Sequence, residues 1–214
     1  MERKFSSLLE NCPEEYRRQM VKTTYRAGED IIRQGGRVKA FHYIQEGLVK
    51  VFYETPGGKS HIQNLLEGGD IFGELEVMQE KYGICTVQAI KDTTIISIPR
   101  EAYIAWISTD SAFSLFIMET ICNKFYLKSK KISEDALYPL QFRLINELML
   151  LTKKQDQLSI EWDKHLVAQE LATSLRSLNR LIQELKDKGL VDVKKNRVTV
   201  LDMQGLEQEK DKYL

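Results

Sequence analysis

Five hydrogen-bonding side chains fall within seven consecutive positions: Ser174, Arg176, Ser177, Asn179 and Arg180. Arg forms paired bonds to guanine and Asn to adenine, while hydroxyls meet phosphate oxygens. The chemistry on offer is the reading of duplex DNA, with Arg176, Asn179 and Arg180 on bases and Ser174 and Ser177 on phosphate. A second group, Lys194, Lys195 and Arg197, carries the charge that further phosphate contacts need. A solvated hairpin tip is the plainer reading of that group. From Lys164 to Arg197 there are eight basic residues against four acidic ones, in a chain of zero formal net charge. The basic excess is therefore local to the suspected reading segment.

Other chemistry finds less support. Cys12, Cys85 and Cys122 are odd in number and far apart, without the close pairing of zinc or iron–sulfur ligands. Ordinary thiols are expected. His42, His61 and His165 are haem-ligand candidates by residue type only. No nucleophile–base pair or metal cluster is visible, and the Gly pairs sit in strand turns rather than before helices. Neither an enzyme nor a metal or cofactor site is expected.

Elements must hold the polar group in place. Lys164–Val191 reads as two helices joined by a tight turn, with a stop at Gly189. Val167 and Leu171 on the first helix, and Leu178, Leu181 and Leu185 on the second, supply the apolar contact that closes their angle. Thr173-Ser174 is the expected cap of the second helix. Ala172 stands at a turn position that favours Gly, because it tends to need positive φ. Ala there costs about 1 kcal/mol unless the turn differs slightly. An αα-hairpin without a DNA role would show the same apolar spacing. Leu158–Glu161 and Val191–Leu201 flank the pair, and the alternation of the second run predicts a two-stranded wing bending at Lys195-Asn196.

Upstream, Phe5–Val21 reads as a short amphipathic helical entry. From Thr23 to about Pro99, short alternating runs are cut by Gly pairs, the texture of an antiparallel barrel or roll. Pro56-Gly57-Gly58 marks a hairpin. A short helix is expected over Glu101–Ser108 and a long one over Ser111–Asp135. On the long helix Leu115, Met118, Cys122, Phe125, Ser129 and Ile132 alternate at steps of three and four, the seam of two helices packed along their length. A helix buried against its own domain is the alternative. Phe116, Ile117, Ile121 and Tyr126 form a second apolar face that can pack on the roll. Pro139 sets a bend, and Leu140–Leu151 is again helical. With 214 residues, the chain divides into a sensor region 1–110, a dimerisation helix and hinge 111–137, and a DNA-binding region 138–214. No apolar run is long enough to span a bilayer, and no signal-peptide core is present. A cytoplasmic protein with no membrane partner is expected.

Together these residues resemble the cyclic AMP receptor protein / FNR family of bacterial transcription regulators, across nearly the whole chain. Gly28-Glu29, Tyr43-Ile44-Gln45-Glu46-Gly47, Gly57-Gly58 and Gly68–Leu75 (GGDIFGEL) carry the likeness in the first half; the two-helix segment carries it in the second. The resemblance implies an α+β protein: an N-terminal antiparallel β-roll of the cyclic-nucleotide-binding type, a long dimerisation helix and a C-terminal winged helix-turn-helix. It implies a homodimer on a pseudo-palindromic operator and, for an activator, RNA polymerase as a further partner.

Two departures stand out. Nucleotide-binding members follow Gly-Glu, about ten residues on, with an Arg for the cyclic phosphate. Here Gly73-Glu74 is present, but the Arg position holds Ile84 and the next holds Cys85. A cyclic phosphate would lose its cation, so cyclic AMP is not the expected ligand. Gly73, Glu74, Ile84, Cys85 and Cys122 remain the candidates for lining a pocket whose small-molecule effector the residues do not name. Leu175 and Arg176 break the family's usual reading pattern, so the operator should differ too. The rival is a ligand-sensing module with a degenerate DNA-binding domain, acting through protein contacts.

Overall fold

A computed structural model of the chain describes residues 5–213, apart from the side chains at 154 and 155. Two compact units emerge, one ending at Lys124 and the other beginning at Phe125.

The first unit opens with two short helices, α1 (Phe5–Glu10) and α2 (Glu14–Arg17), rather than the single entry helix expected to Val21. Pro13 breaks it: Pro13 takes an extended ψ of 137° and has no N–H to continue the ladder. Val21 instead begins β1 (Val21–Tyr25). There follow β2 (Asp30–Ile32), β3 (Ala40–Glu46), β4 (Leu48–Glu54), β5 (Ser60–Glu67), β6 (Ile71–Phe72), α3 (Glu74–Gln79), β7 (Thr86–Ala89), β8 (Thr93–Pro99) and α4 (Arg100–Thr109). The strands form two antiparallel four-stranded sheets, ordered β1-β8-β3-β6 and β2-β7-β4-β5. The expected hairpin joins β4 to β5, with Glu54 opposite Ser60 and Gly58 at φ +77° in the turn. β3 is buried on both faces from Phe41 to Ile44, and the Phe41 ring stacks on Tyr103 of α4 at 4.9 Å.

The long helix α5 (Ser111–Leu137) starts where Asp110 accepts from the Ala112 and Phe113 N–H groups, at 2.8 and 3.1 Å. Those bonds hold the Asp110 carboxyl below its ordinary range. Phe113, Phe116 and Ile117 bury into the first unit's core, with Ile121 partly covered. Tyr126 does not share that face as expected: it is 68% exposed. The seam residues Leu115, Met118, Cys122, Phe125, Ser129 and Ile132 are all exposed, Phe125 at 73%.

The second unit holds α6 (Leu140–Gln155), β9 (Ser159–Glu161), α7 (Lys164–Glu170), α8 (Leu175–Asp187), β10 (Val191–Lys194), β11 (Arg197–Val200) and α9 (Met203–Asp211). Leu144, Ile145, Leu148, Leu178, Leu185 and Leu206 close one core. The wing is three-stranded, not two: β9 adds to the far edge of β11, giving the order β10-β11-β9 with Ile160 opposite Val198.

Candidate nucleic-acid interface and sensor site

The geometry of the reading segment begins at its caps. Asp163 accepts from the His165 N–H at 2.7 Å and starts α7. After α7, Leu171 turns the chain and Ala172 takes φ +50°, so the strained position is kept rather than avoided. Thr173 donates its N–H to the Ala168 carbonyl at 2.8 Å, locking the turn. Ser174 alone caps α8, its hydroxyl accepting from the Ser177 N–H at 3.1 Å. The two hydroxyls also meet each other at 3.0 Å, so part of their hydrogen-bonding capacity is spent on the cap.

Leu178, Leu181, Ile182 and Leu185 bury the inner face of α8 against Val167, Ala168 and Leu171. That packing turns Arg176, Asn179 and Arg180 outward, where all three are exposed. Arg180 lies 3.8 Å from Glu184 one turn on, a loose surface pair that leaves its donors available. Asn179 is held more firmly: its side-chain oxygen accepts from the Lys164 ammonium at 3.2 Å. Lys164 therefore stands beside the reading helix, although sequence reasoning counted it only as charge. Its position as the first residue of α7 was the available signal. Gly189, at φ +69°, ends the segment.

On the wing, Lys194 pairs with Asp192 at 3.5 Å and Arg197 with Glu161 at 3.2 Å. Lys195 sits at the tip with φ +53° and is exposed. Of the three, Lys195 is the cation with no ion pair among the described residues.

The five expected sensor residues do not converge. Gly73, at φ +81°, starts α3, and a Cβ there would lie 3.1 Å from the Ala40 carbonyl. The motif glycine thus answers to the backbone of the roll. Glu74 is buried and paired with Lys124 of α5 at 2.9 Å; the same ammonium donates to the Ile71 carbonyl at 2.8 Å. Ile84 is 60% exposed, Cys85 is buried nearby in sequence, and Cys122 is exposed on α5. None of the five lines the cavity of about 500 Å³ that lies beside α5. His42, weighed as a haem ligand, shares a hydrogen bond of 2.9 Å with Ser97 and stacks on Phe72 at 4.8 Å. Burial holds its pKa down to about 4. Among the described residues no group of three or more His, Cys, Asp or Glu could hold a metal ion. No helix of theirs is long and apolar enough to cross a membrane.

Two family profiles match the chain where these two sites lie. A cyclic nucleotide-binding domain matches residues 22–110, and a Crp-like helix-turn-helix domain matches residues 142–209. The cyclic AMP receptor protein of Thermus thermophilus is 22% identical over 184 residues, 86% of this chain and 85% of its own length. Among solved structures, a CooA mutant from Carboxydothermus hydrogenoformans superposes with a TM-score of 0.80 at 18% identity, covering 98% of this chain and 97% of its own. A CRP/FNR-family transcriptional regulator from Thermus thermophilus gives 0.73 at 17% identity, with 89% and 98% covered. The chain belongs to the cyclic AMP receptor protein / FNR family of transcription regulators. It is a DNA-binding regulator with a cyclic-nucleotide-binding-like domain, and not an enzyme.

Proposed function

We propose that the chain works in the cytoplasm as a homodimer on a pseudo-palindromic operator, with a sensor that does not take cyclic AMP. One observation carries the DNA reading: α8 buries a complete apolar face while Arg176, Asn179 and Arg180 stand exposed on the other. In the proposed roles those three read bases; Ser174, Ser177, Lys194, Lys195 and Arg197 set the register on phosphate, and Lys164 joins them. The exposed seam Leu115, Met118, Cys122, Phe125, Ser129 and Ile132 is the proposed dimer contact. It would set two copies of α8 about 34–36 Å apart, one helical turn of DNA. The working division is 1–110 for sensing, 111–137 for dimerisation and hinge, and 138–214 for DNA. RNA polymerase is the further partner wherever the operator position makes the protein an activator.

The sensor reading is supported by two residues. The carboxylate of Glu74 is already neutralised by Lys124, and Ile84 offers no cation to a cyclic phosphate. An anion buried there without its partner is strongly disfavoured.

Genome-wide footprinting should return a pseudo-palindromic site. Arg180→Ala should weaken binding to that site by 1–3 kcal/mol, about a bidentate base contact, and relax its sequence preference. Unchanged affinity removes the base-reading role. Failure of the native protein to select any DNA sequence at moderate salt favours a module acting through protein contacts.

A further inference from the structure

The first unit offers no cation at Ile84, yet cations gather past the C-terminal end of α3. A cavity of about 530 Å³ lies there, within the range of small-molecule sites. Three separate stretches wall it: residues 37–39 before and at the start of the β3 approach, 80–82 after α3, and 99–101 where β8 joins α4.

These stretches are fixed to one another. Arg37 and Tyr82 pair as an isolated antiparallel bridge, and the Arg100 N–H donates to the Lys39 carbonyl at 3.1 Å. The Arg100 guanidinium donates to the Val77 carbonyl at 3.1 Å and pairs with Glu80 at 2.7 Å. The walls are thus in place before any ligand arrives, which lowers the cost of binding one.

Their charge is uneven. Arg100 and Glu80 cancel each other. Arg37, Lys39 and Lys81 are exposed and have no ion pair among the described residues. Against these three cations stands the carboxylate of Glu101, so the lining carries an excess of two positive charges. Beside them the Tyr82 ring is 58% exposed and offers an aromatic face.

We infer that this cavity is a ligand site of the first unit and that it takes a phosphate monoester carried on a planar ring. A phosphate monoester brings about two negative charges and three strong acceptor oxygens, which match the excess charge and the three free cations. The Arg37 fork suits two of those oxygens, and the Lys39 and Lys81 ammonium groups act as point charges on the third. The ring of the ligand would lie on Tyr82. A carboxylate would neutralise only half the excess, and an organic cation would be repelled. None of these residues belongs to the Gly73-Glu74 motif or to the segment proposed to meet DNA, so the site stands independently of the DNA-binding reading.

The test uses the full-length protein and calorimetry, with phenyl phosphate as probe and benzoate, inorganic phosphate and phenyltrimethylammonium as its matches. Phenyl phosphate should bind saturably, inorganic phosphate and benzoate severalfold more weakly, and the cation not at all. Arg37→Met and Lys81→Met should each weaken phenyl phosphate about tenfold or more, the scale of a charged hydrogen bond, and Tyr82→Ala about threefold. The three side chains are exposed, so the variants should keep the fold. Lys195→Ala should leave the affinity unchanged, and saturating duplex DNA should not displace the ligand. Unchanged binding in Arg37→Met and Lys81→Met overturns the site. So does an equal loss in Lys195→Ala or displacement by DNA, either of which assigns the anion to the wing. Equal affinity for phenyl phosphate and inorganic phosphate overturns the role of the ring.

Discussion

The Asp135 carboxylate accepts from the Arg143 guanidinium at 3.0 Å, and the same nitrogen donates to the carbonyl of Leu171 at 3.3 Å. One side chain of α6 thereby joins the last turns of α5 to the turn between α7 and α8. Lys131 lies 3.9 Å from Asp135 and is too loose to take over. Arg143→Met should destabilise the second unit by about 1.5–3 kcal/mol, the value of a charged hydrogen bond. Urea unfolding followed by Trp162 in a Trp106→Phe background measures it, since each unit contains one of the two tryptophans.

Ala172 gives a prediction of opposite sign. Its φ of +50° is paid by a residue with a Cβ. Ala172→Gly should raise stability by about 1 kcal/mol, and operator affinity should stay as it was. A decrease in stability would mean that the extra freedom of Gly in the unfolded chain outweighs the strain.

Acid should act oppositely on the two units. His42 is neutral and buried, with a pKa of about 4 against 6.5 for the free side chain. As pH falls from 6.5 to 4 the unfolded chain takes up a proton that the native roll refuses. The first unit should lose roughly 3 kcal/mol across that window. Glu170 in the second unit is raised from 4.5 to about 7, first by burial and then by the charge of Glu147, with Lys131 opposing. Glu147 is itself raised by burial. The stability that protonated Glu170 contributes is present below pH 4.5 and lost as pH rises to 7. Between pH 7.5 and pH 5, the midpoint reported by Trp106 should fall while that reported by Trp162 rises. Glu170→Gln should flatten the second profile and leave the first.

The seam predicts a change of assembly. Phe125→Glu should convert the dimer to a monomer in sedimentation and lower operator affinity more than tenfold, without loss of helicity. A dimer that survives places the interface elsewhere.

The wing predicts a salt effect. Lys195→Ala should weaken binding about evenly across operator sequences and lower the slope of log K against log salt by about one. Glu161→Gln, which frees Arg197, should instead strengthen binding slightly.

Local signals were legible in the sequence wherever neighbours in the chain decide the structure. The Pro56-Gly57-Gly58 turn and the apolar spacing of α7 and α8 both report on contacts between near neighbours in the chain. Ala172 was flagged for the same reason. What escaped depends on residues far apart. β9 reads as a strand only because β11, about forty positions later, offers it an edge. Glu74 is neutralised from Lys124, fifty positions away, so the motif around it suggested a ligand contact that a lysine of α5 already satisfies. Tyr126 has the spacing of the inner face of α5 and is nevertheless exposed, because spacing alone does not mark where burial stops.

The strand order β10-β11-β9 has a consequence for dissecting the protein. β9 comes before α7 and α8 and its neighbour β11 after them, and Trp162 donates its backbone N–H to the Asn196 carbonyl at 2.9 Å. The segment proposed to meet DNA is therefore a loop closed at its base by sheet hydrogen bonds. A fragment or chimera starting after Trp162 would keep both helices, yet leave β11 an open edge prone to pairing with other chains. The smallest portable reading head begins ahead of Leu158, so grafting the visible motif alone would transplant the letters without the clasp that holds them.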